Sequence, residues 1–208
     1  MNKLILSAAA ALVLASCAGN PEGKKAETTD SVATVNELIG NSYVIDTTQS
    51  TVIWTGTKVS GAHTGTVVVK SGNLSVDNGI ITGGNFVLDL TSISSTDLEG
   101  EYKDKLDGHL KSEDFFDVAK FPEASFEITE VKAGATANDV VIAGNLTIKG
   151  VSKNITFDAQ VTEATDTSVK ATADFNIARE DWGVNYSGKA DDLISKEINF
   201  KVSLVATK

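Results

Sequence analysis

The sequence predicts an all-β domain, an antiparallel eight-stranded β-barrel with one amphipathic helical insertion at about residues 96–118. Three observations predict it. Apolar and polar residues alternate through most of the chain from residue 43 onward, tight-turn dipeptides separate the alternating runs, and a single segment changes to a four-residue period. Alternation gives each strand one dry face and one wet face.

The first residues read as an export signal. Lys3 opens a short basic start, residues 4–14 are apolar, and Ala15-Ser16 stand directly before Cys17. An apolar run this short cannot cross a hydrocarbon core of about 30 Å as a helix. Cleavage after residue 16 and lipidation of Cys17 are therefore expected, giving a signal peptide over 1–16. Cys17 is the one cysteine, so the chain cannot form an internal disulfide. Residues 17–41 contain few large apolar side chains and are expected to be a flexible tether, with a short helical turn at 35–39. The barrel domain is expected over 42–208.

Strands are expected at 44–45, 52–56, 66–76, 80–90, 124–131 and 140–148, then at 155–161, 169–177 and 198–206. Asn78-Gly79 and Lys149-Gly150 supply the positive φ angles that tight hairpins need. Short antiparallel connections exclude a doubly wound parallel sheet. About eight strands close around an interior wide enough for side chains or one small ligand. Between them Leu98, Tyr102, Leu106 and Leu110 recur every fourth residue, the period of an amphipathic helix. Ser112 is expected to cap one further turn that presents Phe115 and Phe116, before Phe121-Pro122 returns the chain to strand.

The composition is 41% hydrophobic with a formal net charge of −10, which suits a folded core and repels phosphate backbones. Nucleic acid is not an expected partner. No nucleophile elbow, free catalytic thiol or phosphate-cradling loop is present, so no enzymatic activity is expected. His109 and Glu113 share a helix face at i, i+4, but two dispersed histidines, His63 and His109, make no metal site. Neither a metal nor a cofactor is expected.

On the dry faces stand Trp54, Phe86, Leu88 and Phe126, followed by Phe157, Phe175 and Phe200. They either fill the interior or line a hollow within it. In a hollow, each buried CH₂ of a ligand would gain roughly 0.8 kcal/mol. Arg179 is expected to pair with Asp181 at the rim or with a pyrophosphate, and Trp182 to plug the cavity floor.

Several segments carry a resemblance: Tyr43-Val44-Ile45-Asp46 with Ser50, then Asp107-Gly108-His109-Leu110-Lys111-Ser112-Glu113-Asp114-Phe115-Phe116-Asp117-Val118, then Phe121-Pro122-Glu123-Ala124-Ser125-Phe126. Gly144-Asn145-Leu146-Thr147-Ile148-Lys149-Gly150-Val151 and Arg179-Glu180-Asp181-Trp182-Gly183-Val184 follow in order. From about residue 43 onward the chain resembles the YceI-like family. The resemblance implies a lipocalin-like barrel that binds a polyisoprenoid, an isoprenoid quinone or a similar long-chain lipid in the bacterial envelope, as carrier, store or sensor. The alternative is an envelope stress or interaction protein with a filled barrel and a protein partner. Ala18-Gly19 after the cysteine supply no acidic retention signal, so the expected site is the periplasmic face of the outer membrane, reached through the acyl anchor. Pairing of two barrels in a homodimer is compatible with the sequence.

Overall fold

The computed structural model describes residues 18–33 and 39–208. Cys17 and all but the last residue of the helical turn expected at 35–39 lie outside the described residues. The first strands are β1 (Lys24–Lys25), β2 (Glu27–Asp30), β3 (Asn41–Ile45), β4 (Thr51–Lys58), β5 (Gly61–Asp77) and β6 (Ile80–Ser95). Helix α1 (Gly100–Lys111) follows, then β7 (Glu123–Ala133), β8 (Asp139–Ile148), β9 (Val151–Ala164) and β10 (Ser168–Ala178). A 3-10 turn at Arg179–Trp182 leads to β11 (Gly188–Lys189) and β12 (Asp192–Thr207).

Eight strands close the barrel. From β4 through β10 each strand pairs antiparallel with the next, β12 pairs with β10, and β4 pairs back onto β12. Closure matters because, with β1 and β2 pairing the ends where β9 and β10 part, it leaves little unpaired edge in the wall. β3 continues the line of β4 against the same neighbours, β5 and β12. The break between them is held by Asp46, whose Oδ1 accepts from the Thr48 hydroxyl and the Thr48 and Gln49 N–H groups. Ser50 then donates to the Val205 carbonyl and accepts the Val205 N–H, stitching the break to β12.

The two predicted hairpins form as the dipeptides require. Asn78 and Gly79 have φ of 50° and 81°, and Lys149 and Gly150 have 53° and 75°, so both loops bend with the twist of their strands. Alternation places one side chain in two inside, as on β8, where Ile142, Leu146 and Ile148 are buried.

Two local expectations change. The helix spans 100–111 rather than 96–118, and Leu98 precedes it. Steps of four residues drift by about 40° around a helix of 3.6 residues per turn, so Leu110 is buried and Leu106 packs on the core while Tyr102 is 74% exposed. Ser112 ends α1 rather than starting a new turn, because its hydroxyl donates to the His109 carbonyl. Phe115 and Phe116 still turn inward, in the tight turns that follow.

The segment read as a tether departs furthest from expectation over its described part. β1 pairs parallel with Phe175 and Asn176 of β10, and β2 pairs antiparallel with residues 153–156 of β9. Backbone hydrogen bonding, to which side-chain hydropathy is blind, holds it there.

At the helical end of the barrel, Asp192 joins the β4–β5 turn to β12. It accepts from Lys58 Nζ at 2.7 Å, from the Ser60 N–H at 2.9 Å and from the Ser60 hydroxyl at 3.1 Å. The hydrogen bond from Lys58, helped by the Ser60 N–H, holds the Asp192 carboxyl down to about 2. A carboxyl held below its ordinary 3.8 contributes stability that is complete above that value and is lost as pH falls toward 2. Asp192→Asn is therefore expected to lower the urea midpoint near neutral pH, with the gap to the unsubstituted protein closing between about pH 4 and about pH 2. A gap that stays constant over that range would show that the charge is not responsible.

Candidate functional site

A hollow of about 190 Å³ lies inside the barrel. It exceeds the roughly 150 Å³ of an apolar cavity that stays dry and accepts benzene or xenon. Along β8 its lining runs from Ile142 to Ile148, about 20 Å of strand at 3.3 Å per residue. Leu110, Phe115 and Phe116 line the end beneath α1, and Leu74 and Ile81 line the wall toward the opposite end.

A girdle of rings crosses the middle. Phe86 and Phe126 stack with centroids 6.4 Å apart, Phe126 lies 5.7 Å from Phe157, Phe157 stacks on Phe175 at 4.1 Å, and Phe175 lies 6.1 Å from Phe200. Trp54 is the direct cross-strand partner of Phe200 and completes the set. Six of the eight barrel strands thus contribute one ring each. The other two contribute glycines: a Cβ on Gly144 of β8 would strike the Phe126 ring, one on Gly65 of β5 would strike the Trp54 indole, and one on Gly72 would come within 3.0 Å of Phe86 Cδ1. Large residues rest on missing ones, which lets the rings lie along the wall. Phe126, Phe157, Phe200 and Leu88 line the interior and remain only partly buried.

All seven apolar residues singled out in the sequence line this hollow, and Arg179 lines it as well. Arg179 is 2% exposed and does not pair with Asp181. Its Nε donates to the Ser195 carbonyl at 2.9 Å, Nη1 to Val184 at 2.5 Å and Nη2 to Ile194 at 3.5 Å. The guanidinium carbon stands 5.8 Å from the centre of the Phe115 ring. Burial lowers the Arg179 pKa from its ordinary value. The Ser195 and Ile194 carbonyls lie where the register of β12 against β4 shifts, between Ile194 and Ile198.

Trp182 is not the cavity floor. It is 1% exposed, outside the lining, and donates from Nε1 to the Leu146 carbonyl at 2.9 Å. A buried indole needs such an acceptor, and satisfying it turns the ring away from the hollow. His63 pairs with Asp97 at 2.8 Å on β5, and His109 packs edge-on against Tyr186 at 4.6 Å. Among the described residues no three His, Cys, Asp or Glu side chains converge as a metal site. The lining also holds residues that the sequence did not single out as ligand-binding: Phe115 and Phe116 in a turn, and Ala171 and Ala173 on β10.

A closed antiparallel barrel of eight strands around an apolar hollow is an architecture with room inside for one small ligand. The chain belongs to the YceI-like family, whose YceI-like domain matches residues 43–206. A solved polyisoprenoid-binding domain from Saccharophagus degradans aligns over 79% of this chain and 97% of its own, with a TM-score of 0.61 and 19% identity. Burkholderia cenocepacia BcnA aligns over 78% of this chain and 99% of its own, with a TM-score of 0.58 and 19% identity. At that identity the likeness establishes the fold. Curated relatives include UPF0312 proteins of Enterobacter sp. strain 638, 41% identical over 34% of this chain, and of Yersinia enterocolitica, 41% identical over 38%. These matches span only 35% and 36% of the relatives' own length.

The glycines test the geometry. Gly65→Val would drive methyl groups into the Trp54 indole and the Ser94 carbonyl and is expected to cost about 1–3 kcal/mol. Gly56 also lines the hollow, but a Cβ there meets nothing within 4 Å, so Gly56→Val should leave the urea midpoint unchanged or raised. Equal losses from both substitutions would contradict the empty space beside Gly56.

Proposed function

We propose that this protein binds a long-chain apolar lipid, a polyisoprenoid or an isoprenoid quinone, inside the barrel and shields it from water. The observation that carries the reading is the hollow itself, which is apolar over nearly all of its length and girdled by six rings. At roughly 0.8 kcal/mol per buried CH₂, each five-carbon isoprene unit placed there contributes affinity without any polar contact. A solved neighbour named as a polyisoprenoid-binding domain supports the ligand class. The hollow also counts against the filled-barrel alternative.

Arg179 gives the hollow a polar end. A guanidinium has five N–H donors, and backbone carbonyls take three of them here. The remaining donors suit the carbonyl of a quinone or the oxygens of a phosphorylated head, while the girdle holds the tail. Binding, not catalysis, is the proposed activity. Cys17, lipidated after removal of residues 1–16, would anchor the barrel at the periplasmic face of the outer membrane, close to its lipid source. Carriage, storage or sensing of the lipid is the role proposed there.

Native mass spectrometry after incubation with ubiquinone and with an isoprenoid hydrocarbon tests this reading. Both should bind in one copy. Ala173→Trp, which places an indole in the hollow, should abolish both complexes without unfolding the barrel. Arg179→Met should weaken the quinone about tenfold or more, the size of one lost hydrogen bond to a charged donor, and spare the hydrocarbon. Failure of the unsubstituted protein to take up either ligand would sink the proposal.

A further inference from the structure

β9 and β10 do not pair along their full length. Their register runs from Ala164 and Val169 to Ala159 and Ala173, and beyond that point each takes a different partner. The parted ends are bridged by the chain's own N-terminal segment: Lys24 and Lys25 pair with Phe175 and Asn176 on one side, and residues 27–30 pair with 153–156 on the other. Between them Ala26 is 4% exposed and donates its N–H to the Asn176 carbonyl at 2.8 Å. The segment is a strap across a slit in the barrel wall.

Beside the strap lies a second space of about 210 Å³ whose lining includes Lys24, Ala26, Asp158 and Asp174. Phe157 and Phe175 line both this space and the main hollow. Their stacked rings, 4.1 Å apart, are the partition between the two. Passage from outside to the hollow at this place needs only the strap to lift and two rings to rotate.

The other routes are closed differently. Beneath α1 the end is filled by Leu110 and Phe115, both buried in the core cluster. At the far end Tyr43 is 3% exposed and donates its hydroxyl to the Thr165 carbonyl. Opening either end disrupts apolar packing. The strap gives Ala26 to that cluster and is otherwise held by backbone pairing and polar contacts: Asn176 donates to the Pro21 carbonyl at 2.9 Å, Ser195 to Asn20 at 2.9 Å, and Asn145 to the Val32 carbonyl at 2.8 Å. Two exposed ion pairs, Lys24 with Asp158 and Lys153 with Asp30, add little. Segments with few buried apolar contacts open at the low end of a protein's range of free energies.

We infer that the slit between β9 and β10 is the side entrance for the apolar ligand, and that residues 18–33 are its gate. The inference rests on the binding function proposed above. It joins anchor and gate in one stretch of chain, since the strap begins one residue after Cys17. A barrel held at a membrane by that residue would take its ligand through the wall nearest the bilayer.

Asp30 and Lys153 are direct cross-strand partners, so a cysteine at each lies within disulfide reach. The experiment uses the full-length Cys17→Ser chain carrying Asp30→Cys and Lys153→Cys, and follows transfer of a fluorescent anthraniloyl geranylgeraniol from phosphatidylcholine vesicles. The oxidised, strapped form should exchange the probe at least tenfold more slowly than the reduced form, with the same amount bound at equilibrium. Gly23→Val should do the opposite and speed exchange at least threefold, because its side chain would collide with Asn176 and Asn199 at a φ of +133°. Hydrogen exchange at residues 24–30 reports whether the strap has lifted. Equal rates in both redox states, or an unchanged rate with a lifted strap, would overturn the gate and leave the binding function standing. No uptake in either redox state would overturn the binding function and the gate together.

Discussion

Closure of eight strands into a hydrogen-bonded wall, its slit between β9 and β10 bridged by β1 and β2, is the constraint on which the other features depend. It fixes the width of the interior, and at that width side chains from opposite walls either just meet or just fail to. The outcome is set by where the largest and smallest residues fall around the circumference. Six strands place an aromatic ring at about the same level, and the two remaining strands place glycines beneath their neighbours' rings. Rings laid along the wall leave the axis free, and alanines such as Ala171 and Ala173 widen the space beside them.

That arrangement separates two kinds of stability within one barrel. Ile155, Val169, Ile177 and Ala206 are essentially inaccessible and pack as a solid protein interior. Phe126, Phe157 and Phe200 keep accessible surface inside the wall, so part of their hydrophobic stabilisation is withheld until something fills the hollow. A bound apolar chain would then stabilise the fold as well as be shielded by it, through the ordinary linkage between binding and folding. Arg179 fits the same scheme, as a buried cation whose carbonyl partners leave donors over at one end of an otherwise apolar space.

Much of this is legible in the sequence because a wall that is wet outside and dry inside must alternate, and residues 155–161, 169–177 and 198–204 do so without interruption. The same period assigns Trp54, Phe86, Leu88, Phe126, Phe157, Phe175 and Phe200 to the interior. Whether they fill it or line it is not legible, because that depends on the register between strands, which periodicity within a strand does not carry. Phe115 and Phe116 escape notice as lining since a tight turn has no period, and the alanines of β10 read as ordinary filler. Trp182 misleads for a different reason: its indole N–H needs an acceptor, and Leu146 supplies one away from the hollow. The strap at 18–33 is the least legible element. Its Thr, Glu and Lys side chains suggest solvation, while its attachment runs through backbone groups that every sequence possesses.

The central physical claim is that the rings of the girdle surround space rather than one another. Crystals of the protein pressurised with xenon would test it most directly, because xenon settles in dry apolar cavities large enough to hold it. A hollow barrel should show xenon density on the axis, in contact with Phe157, Phe175 and Ala173. Rings packed in mutual contact across the axis, with no xenon between them, would contradict it.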